Sequence, residues 1–162
     1  MKTLVTAMIC KKIGVDFHGV LNSNPLFFKE FCDCAVKQGF EIHIISGGPC
    51  ETIENFLAQY QIKRTRIWCI FDHFNEQDKV EFLPDGSFHV TDELWDSAKA
   101  EYCRQNNICV HIDDSPVYGR YFTTPYCLYD EHKKSGELSG KTIDFSVSPE
   151  SNLREILLAL HK

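Results

Sequence analysis

Three short apolar runs along the chain predict buried strands, and each run ends in a polar residue. The runs and the residues after them are Ile13-Gly14-Val15 before Asp16, Ile42-His43-Ile44-Ile45 before Ser46, and Val110-His111-Ile112 before Asp113-Asp114. Open α/β sheets bind their ligands outside the carboxyl ends of their strands. We therefore expect the three strand ends to converge on one crevice that contains carboxylates and a hydroxyl group.

Helical patterns separate these strands. Asn24 suits the N-cap and Pro25 the first turn of a helix that ends before Gly39. Further helices are predicted after Pro49 to about Tyr60, at 93–105 and at 152–161, and further strands at 66–71 and 126–129. Strands that alternate with helices predict an α/β fold with a parallel central sheet and right-handed crossovers.

Residues 78–91 carry a different pattern. Lys79–Leu83 and Ser87–Val90 are strand-like and flank Pro84-Asp85-Gly86, a turn sequence. They predict a small β-hairpin inserted after the third strand. The hairpin belongs to a single domain of residues 1–162, because the chain is too short for two domains of ordinary size. The polar tract from Asp130 to Gly140 is predicted to be a surface loop.

The composition argues against several classes of protein. With 43% hydrophobic and 25% charged residues, the chain of 162 residues is typical of a soluble globular protein. Its net charge of -6 argues against a nucleic-acid partner, and no apolar run is long enough to cross a membrane. The apolar residues 4–10 are interpreted as an edge strand or a loose extension rather than a secretion signal.

The cysteines and two histidines are interpreted as structural residues. The eight cysteines are scattered through apolar segments, which predicts reduced, buried thiols in a cytoplasmic protein. Examples are Cys69, Cys103, Cys109 and Cys127. Cys32-x-Cys34 is interpreted as part of a helix face, because no second pair lies at zinc-like spacing. His43 and His111 lie inside predicted strands and are expected to be hydrogen-bonded core residues.

Four motifs, in this order, resemble those of a known superfamily. They are Asp16-x-His18-Gly19-Val20 after the first strand, Ser46 after the second, Lys99 on a later helix, and Asp113-Asp114 after another apolar strand. Over roughly residues 12–130 the chain resembles the haloacid dehalogenase superfamily of phosphotransferases. The resemblance implies a three-layer Rossmann-like fold, with helices on both faces of the sheet and the first strand in its middle. Because the hairpin is short, it also implies a capless or minimal-cap type.

The acidic residues of these motifs predict a magnesium site. Carboxylates repel phosphate, since two unit charges about 4 Å apart interact by roughly 4 kcal/mol in a partly buried site. A Mg²⁺ ion reverses this effect and is usually held by one or two carboxylates together with a substrate phosphate. Asp16 and Asp113 supply two carboxylates. The resemblance adds the backbone carbonyl of His18 as a ligand, and Asp114 as a water-mediated ligand or an orienting group.

The resemblance also implies how the phosphate group is handled. Asp16 would attack phosphorus and form an aspartyl-phosphate. Ser46 and the amides of Gly47-Gly48 would bind phosphate oxygens at a helix N-terminus. Lys99 would neutralise charge that Asp16 shares with the transferring group. Lys79, on the hairpin, is the alternative cation.

One position departs from the superfamily pattern. Phosphatases of this type usually carry a second Asp two residues after the nucleophile, where this chain has His18. An imidazole with an unperturbed pKa of about 6.5 can protonate a leaving group and activate water near neutral pH. The sequence therefore predicts a Mg²⁺-dependent phosphatase that acts on a small phosphorylated substrate. The alternative is a weak or inactive relative that binds Mg²⁺ and a phosphorylated ligand or a protein partner.

Overall fold

The computed structural model describes residues 10–161 of the chain. Its strands are β1 (Lys12–Val15), β2 (Glu41–Ser46), β3 (Arg66–Cys69), β4 (Glu81–Phe82), β5 (Phe88–His89), β6 (Val110–Asp113), β7 (Tyr126–Asp130), β8 (Ser135–Leu138) and β9 (Lys141–Asp144). Its helices are α1 (Pro25–Lys37), α2 (Cys50–Gln59), α3 (Ile70–Glu76), α4 (Asp92–Gln105), α5 (Pro116–Gly119) and α6 (Pro149–Leu160), with a 3₁₀ turn at Leu21–Ser23. The apolar residues 4–9 of the predicted N-terminal segment lie outside the described residues.

Within residues 10–161, seven strands form a mostly parallel sheet in the order β3-β2-β1-β6-β7-β8-β9. Parallel pairing runs from β3 to β7, and the last two strands pair antiparallel. The first strand lies between the strands that carry the second and fourth motifs, as the resemblance implies. The fold is therefore α/β, and the polar strand ends of the three motifs lie at one edge of adjacent strands.

Helices cover both faces of the sheet, because side chains along a strand alternate between the two faces. On one face, Ile42 and Ile44 pack in the main core with residues of α1, α2 and α6. On the other face, Ile45 packs with Tyr102 and Cys103 of α4. The α1 helix begins as predicted, with the side chain of Asn24 accepting a hydrogen bond from the Phe27 amide over 3.3 Å.

The predicted hairpin is confirmed. Strands β4 and β5 pair antiparallel, with Phe82 opposite Phe88. The turn between them is closed by the Leu83 amide, which donates to the Ser87 carbonyl over 2.8 Å. Gly86 has a φ of +87°, a conformation that favours glycine. Each strand has only two residues, so the hairpin is held to the domain by its side chains rather than by the main sheet.

Two predicted segments are wrong in part. The strand predicted at 66–71 ends at Cys69, and the apolar Ile70 and Phe71 instead begin α3. The predicted surface loop from Asp130 to Gly140 contains β8, which pairs with β7 and extends the sheet beyond the predicted strands. Gly136 is buried in β8, where a Cβ atom would lie 2.6 Å from Cys127 Sγ. The polar composition therefore concealed a strand in which one of the two buried positions is a glycine.

The prediction of reduced thiols is wrong for Cys10 and Cys109, which form a disulfide with each other. The pairing follows from the sheet, because the residues just before β1 and β6 are neighbours. Six other cysteines are free, and four of these are buried: Cys32, Cys69, Cys103 and Cys127. Cys32 and Cys34 lie on α1, as the helix-face interpretation expects. No helix in residues 10–161 is both long and apolar enough to span a membrane.

Candidate active site

Three carboxylates meet at the carboxyl ends of β1 and β6. Val15 of β1 lies opposite Ile112 of β6, so the next residues of the two segments, Asp16 and Asp113, lie side by side. The Asp16 amide extends the pairing by donating to the Ile112 carbonyl over 2.9 Å. One carboxylate oxygen from each of Asp16, Asp113 and Asp114 lies within 4.8 Å of the others. Asp16 and Asp113 are buried, whereas Asp114 is exposed.

A buried lysine bridges two of these carboxylates. Lys99 of α4 is 1% exposed, and its Nζ donates to Asp16 Oδ1 over 2.9 Å and to Asp113 Oδ2 over 2.7 Å. The ammonium group also lies 4.6 Å from the centroid of the Tyr118 ring, within cation–π range. Burial alone would lower the pKa of Lys99, but the two carboxylates outweigh it and raise the pKa. The lysine is therefore charged and offsets part of the negative charge.

Asp113 is held by donors on both of its oxygens. His111 Nε2 lies 2.9 Å from Oδ2, and the Ser115 amide donates to Oδ1 over 3.0 Å. Burial would raise the pKa of Asp113, but the hydrogen bond with His111 and the charge of Lys99 outweigh it and hold the pKa well below its usual range. His111 is hydrogen-bonded inside the fold, as predicted, and it positions a site carboxylate, a role that its place in the sequence did not reveal.

Asp16 has fewer donors and a different electrostatic balance. Besides Lys99, its Oδ1 accepts a hydrogen bond from the Phe17 amide over 2.8 Å. Burial raises the pKa of Asp16 to about 7, because the nearby charge of Lys99 offsets it only in part and the charge of Asp113 adds to it. In the absence of a cation, Asp16 is thus the carboxylate of this buried pair that is more readily protonated.

The turn after Asp16 requires glycine at position 19. Gly19 has a φ of +76°, and a Cβ atom there would collide with the carboxylate of Asp114. Its amide donates to Asn22 Oδ1 over 2.8 Å, which fixes the turn. The main chain around His18 is consequently drawn close to the acidic cluster, and this is the segment whose carbonyl the resemblance implies as a ligand.

The cluster opens into a cavity of about 580 Å³. Asp16, His18, Lys99 and Asp114 line one part of it. His18 is exposed, and its ring meets that of Phe17 edge-to-face at a centroid distance of 4.9 Å. Within the described part of the chain its side chain makes no hydrogen bond, so it can approach a bound ligand. Lys79, the alternative cation, is exposed and does not line the cavity.

The structure places two of the three predicted phosphate-binding residues in the cavity lining and the third outside it. Gly47 and Gly48 line the cavity, and Gly48 has a φ of +103°, which favours glycine. Ser46 is fully buried and is not part of the lining; its Oγ has no hydrogen-bond partner among residues 10–161. At the start of α2, the Cys50 amide donates to Asp72 Oδ2 over 2.9 Å. One amide of this helix N-terminus is therefore already paired with a carboxylate.

A second cluster lies beside this turn. Cys50, Cys69 and Asp72 have potential ligand atoms within 4.8 Å of one another. Burial raises the pKa of both thiols, which opposes the thiolate form that binds metals. Because Asp72 also accepts the Cys50 amide, we regard the three carboxylates as the candidate metal site of the described chain.

Aromatic side chains form the rest of the cavity lining, and the sequence predictions did not include them. They are Phe71 from α3, Phe82 and Phe88 from the hairpin, Trp95 from α4 and Tyr118 from α5. A signal was present for one of them, because Trp95 precedes Lys99 by one helical turn and residues at this spacing share a helix face. The sequence gives no such signal for the two hairpin rings, because their position beside the cavity depends on how the hairpin packs.

Comparisons with models of protein families, with curated proteins and with solved structures each find no match. The function must therefore be argued from the site itself. Three carboxylates and one ammonium group leave an excess of negative charge at the cluster. Each of the three aspartates offers a carboxylate oxygen as its ligand atom. This donor set fits a hard divalent cation.

Proposed function

We propose that this protein is a Mg²⁺-dependent phosphomonoester hydrolase of the haloacid dehalogenase type, which reacts through an aspartyl-phosphate at Asp16. The observation that supports it best is the group of three carboxylates within 4.8 Å of one another, two of them bridged by Lys99. This arrangement combines a nucleophile, a site for a cation and a fixed positive charge in one cavity.

The cation would be held by Asp16 and Asp113, with Asp114 and the carbonyl of His18 as further ligands. Mg²⁺ fits these ligands because it prefers oxygen donors and keeps several water molecules. When bound, Mg²⁺ supplies positive charge that offsets the repulsion between the carboxylates and a phosphate group. The remaining steps are the work of the protein's own side chains.

In the first half of the reaction, a carboxylate oxygen of Asp16 attacks phosphorus and the bond from phosphorus to the leaving oxygen breaks. The hydrogen bonds from Lys99 and from the Phe17 amide hold the other carboxylate oxygen and fix the orientation of the group. His18, protonated, gives its proton to the leaving oxygen. The products are the alcohol and an aspartyl-phosphate.

In the second half, His18 takes a proton from a water molecule as this water attacks phosphorus. The bond between phosphorus and Asp16 breaks, which restores the carboxylate and releases inorganic phosphate. The exposed imidazole, free of protein hydrogen bonds in the described chain, suits a group that must alternate between acid and base. The Gly47-Gly48 turn, which lines the same cavity, would contribute amides to the phosphate oxygens.

The test is phosphate release from an ester whose leaving alcohol must be protonated, such as benzyl phosphate, with and without Mg²⁺. We expect release that depends on Mg²⁺ and that falls by about 10²- to 10⁴-fold in His18→Ala, the usual contribution of a general acid and base. Undiminished activity in His18→Ala would remove the imidazole from the mechanism.

A second candidate is a protein that binds Mg²⁺ and a phosphorylated ligand without turnover. It is favoured by the side chain of Ser46, which is buried away from the cavity in which phosphate would bind, and by the histidine at position 18. In this case the wild-type protein should be inactive, and His18→Asp should restore Mg²⁺-dependent phosphate release. Calorimetric titration with Mg²⁺ would still detect metal binding.

A further inference from the structure

We propose that the cavity selects phosphomonoesters whose alcohol side is an aromatic ring without a second anionic group. This inference rests on the proposed phosphatase function and adds the class of substrate. The juxtaposition that carries it is an aromatic wall, made of Phe71, Phe82, Phe88, Trp95 and Tyr118, in the same cavity as the carboxylate of Asp16.

The rings of this wall form a continuous surface. The Phe88 centroid lies 4.8 Å from that of Phe71 and 5.7 Å from that of Trp95. Trp95 Nε1 donates to the Tyr118 hydroxyl over 3.0 Å, which fixes the indole and the phenol relative to each other. Aromatic rings of a ligand gain from stacked or edge-on contacts with such rings. The wall thus offers contact to a flat ring rather than to a flexible polar chain.

The wall leads directly to the reacting group. The Tyr118 ring lies under the ammonium of Lys99 at 4.6 Å, and the same ammonium holds Asp16 at 2.9 Å. When the phosphate group of an ester lies at Asp16, the alcohol part of the ester therefore lies in the same cavity as the aromatic wall. The cavity volume of about 580 Å³ lies in the range of small-molecule sites, about 300–1,000 Å³.

The charges of the lining argue against a second anion on the substrate. Among the lining residues that the structure describes, Lys99 is the only lysine or arginine, and two carboxylates already pair with it. Asp114 adds a further negative charge on the lining. A carboxylate or second phosphate on the leaving group would find no free lysine or arginine there, and the protonated His18 is already assigned to the leaving oxygen. Nucleoside di- and triphosphates are accordingly poor candidates.

Benzyl phosphate and cyclohexylmethyl phosphate test the inference. Both are esters of primary alcohols of similar size, so a difference in kcat/KM reports recognition of the ring rather than leaving-group reactivity. We expect kcat/KM with Mg²⁺ to be about 3- to 10-fold higher for benzyl phosphate, the size of one or two aromatic contacts. We also expect 4-carboxybenzyl phosphate to be a poorer substrate than benzyl phosphate. Equal or better turnover of the carboxylated ester would overturn the exclusion of a second anion.

Two variants of matched exposure locate the selection. Phe88, on the hairpin, is 42% exposed and lines the cavity, whereas Tyr121 is 40% exposed and does not. We expect Phe88→Leu to lower the ratio of benzyl to cyclohexylmethyl turnover, and Tyr121→Leu to leave the ratio unchanged. Thermal unfolding of both variants checks that they are folded. If Phe88→Leu keeps the wild-type ratio of benzyl to cyclohexylmethyl turnover, the assignment of the wall as the ring site is overturned.

Binding of unreactive phosphonates separates this inference from the proposed function. Calorimetric titration with benzylphosphonate and cyclohexylmethylphosphonate, both in the presence of Mg²⁺, measures ring preference without turnover. If neither ester is hydrolysed but benzylphosphonate binds more tightly, the ring site stands and the phosphatase proposal fails. If both esters are hydrolysed at equal rates, the phosphatase proposal stands and ring selection fails. Equal binding of the two phosphonates without hydrolysis would overturn both.

Discussion

The two sides of the cavity are built in opposite ways. On the carboxylate side, Asp16, Lys99 and Asp113 are at most 3% exposed and are fixed by the central strands and α4. On the hairpin side, Phe82 is 63% and Phe88 42% exposed, on strands of two residues each. Ion pairs need burial to be strong and fixed strands to be aligned, whereas ring contacts need only accessible apolar area. We therefore expect substitutions on the hairpin to alter the proposed ring selection without removing the proposed chemistry.

The largest expected effect separates the two sides by activity. Asp16→Asn removes the proposed nucleophile and should lower phosphate release from every ester by about 10³-fold or more. Hairpin substitutions should instead change the ratio between esters. Phosphate release measured with Mg²⁺ tests this, with Asp144→Asn on β9 as a control that should retain wild-type rates. Substantial activity in Asp16→Asn would refute the assignment of the nucleophile.

The next effect concerns stability. Lys99→Met leaves two buried carboxylates without their ammonium partner, and such a loss typically costs about 3–5 kcal/mol in the free energy of unfolding. Urea denaturation without Mg²⁺ measures it. Lys29→Met is the matched control, because Lys29 pairs with Asp33 on the surface of α1 and such pairs contribute about 0.3–0.5 kcal/mol. Equal losses in the two variants would show that the buried bridge is not a source of stability.

A third effect is the dependence of metal binding on pH. The pKa of Asp16 is raised to about 7, so below this pH a proton competes with a cation for the carboxylate. The fraction of ionised Asp16 falls about tenfold between pH 8 and pH 6, and we expect the Mg²⁺ affinity to fall by the same factor. Calorimetric titration at both pH values measures the change. Asp16→Asn should bind Mg²⁺ more weakly and with a flatter pH profile; an unaltered profile would point to another titrating group.

The smallest effect is expected on the hairpin. Phe82→Ala removes a ring that is 63% exposed and should change the free energy of unfolding by no more than about 0.5 kcal/mol. Phe28→Ala removes a ring that is fully buried in the main core and should cost about 3–5 kcal/mol. Urea denaturation compares the two. A large loss in Phe82→Ala would mean that the hairpin is part of the structural core after all.

Much of the fold could be predicted because the central strands are continuous apolar runs. The runs before Asp16, Ser46 and Asp113 are buried on both faces of the sheet. The strands and their polar ends can therefore be recognised from the sequence alone. The proximity of Lys99 to Asp16 and Asp113 followed from the resemblance to a known order of motifs. The contact distances, and the difference in pKa between the two carboxylates, depend on donors such as His111 that only the fold brings together.

The features that escaped prediction depend on contacts between distant segments. The disulfide joins Cys10 to Cys109 across a separation of 99 residues, and no local pattern distinguishes these two cysteines from the other six. Strand β8 lacks an apolar signal because the buried Gly136 fills one of its inward positions. The aromatic wall combines side chains from three helices and a hairpin, so its composition became visible only when these elements were packed together.

The position of β1 between β2 and β6 also determines when the acidic cluster can form during synthesis of the chain. On the ribosome, Asp16 emerges long before Lys99 and Asp113, which are the groups that balance and orient it. A nascent chain that stops short of β6 carries a lone acid at the edge of an unfinished sheet. Only when β6 is inserted beside β1 do the carboxylates come together, so the proposed cation site cannot form before β6 has been synthesised.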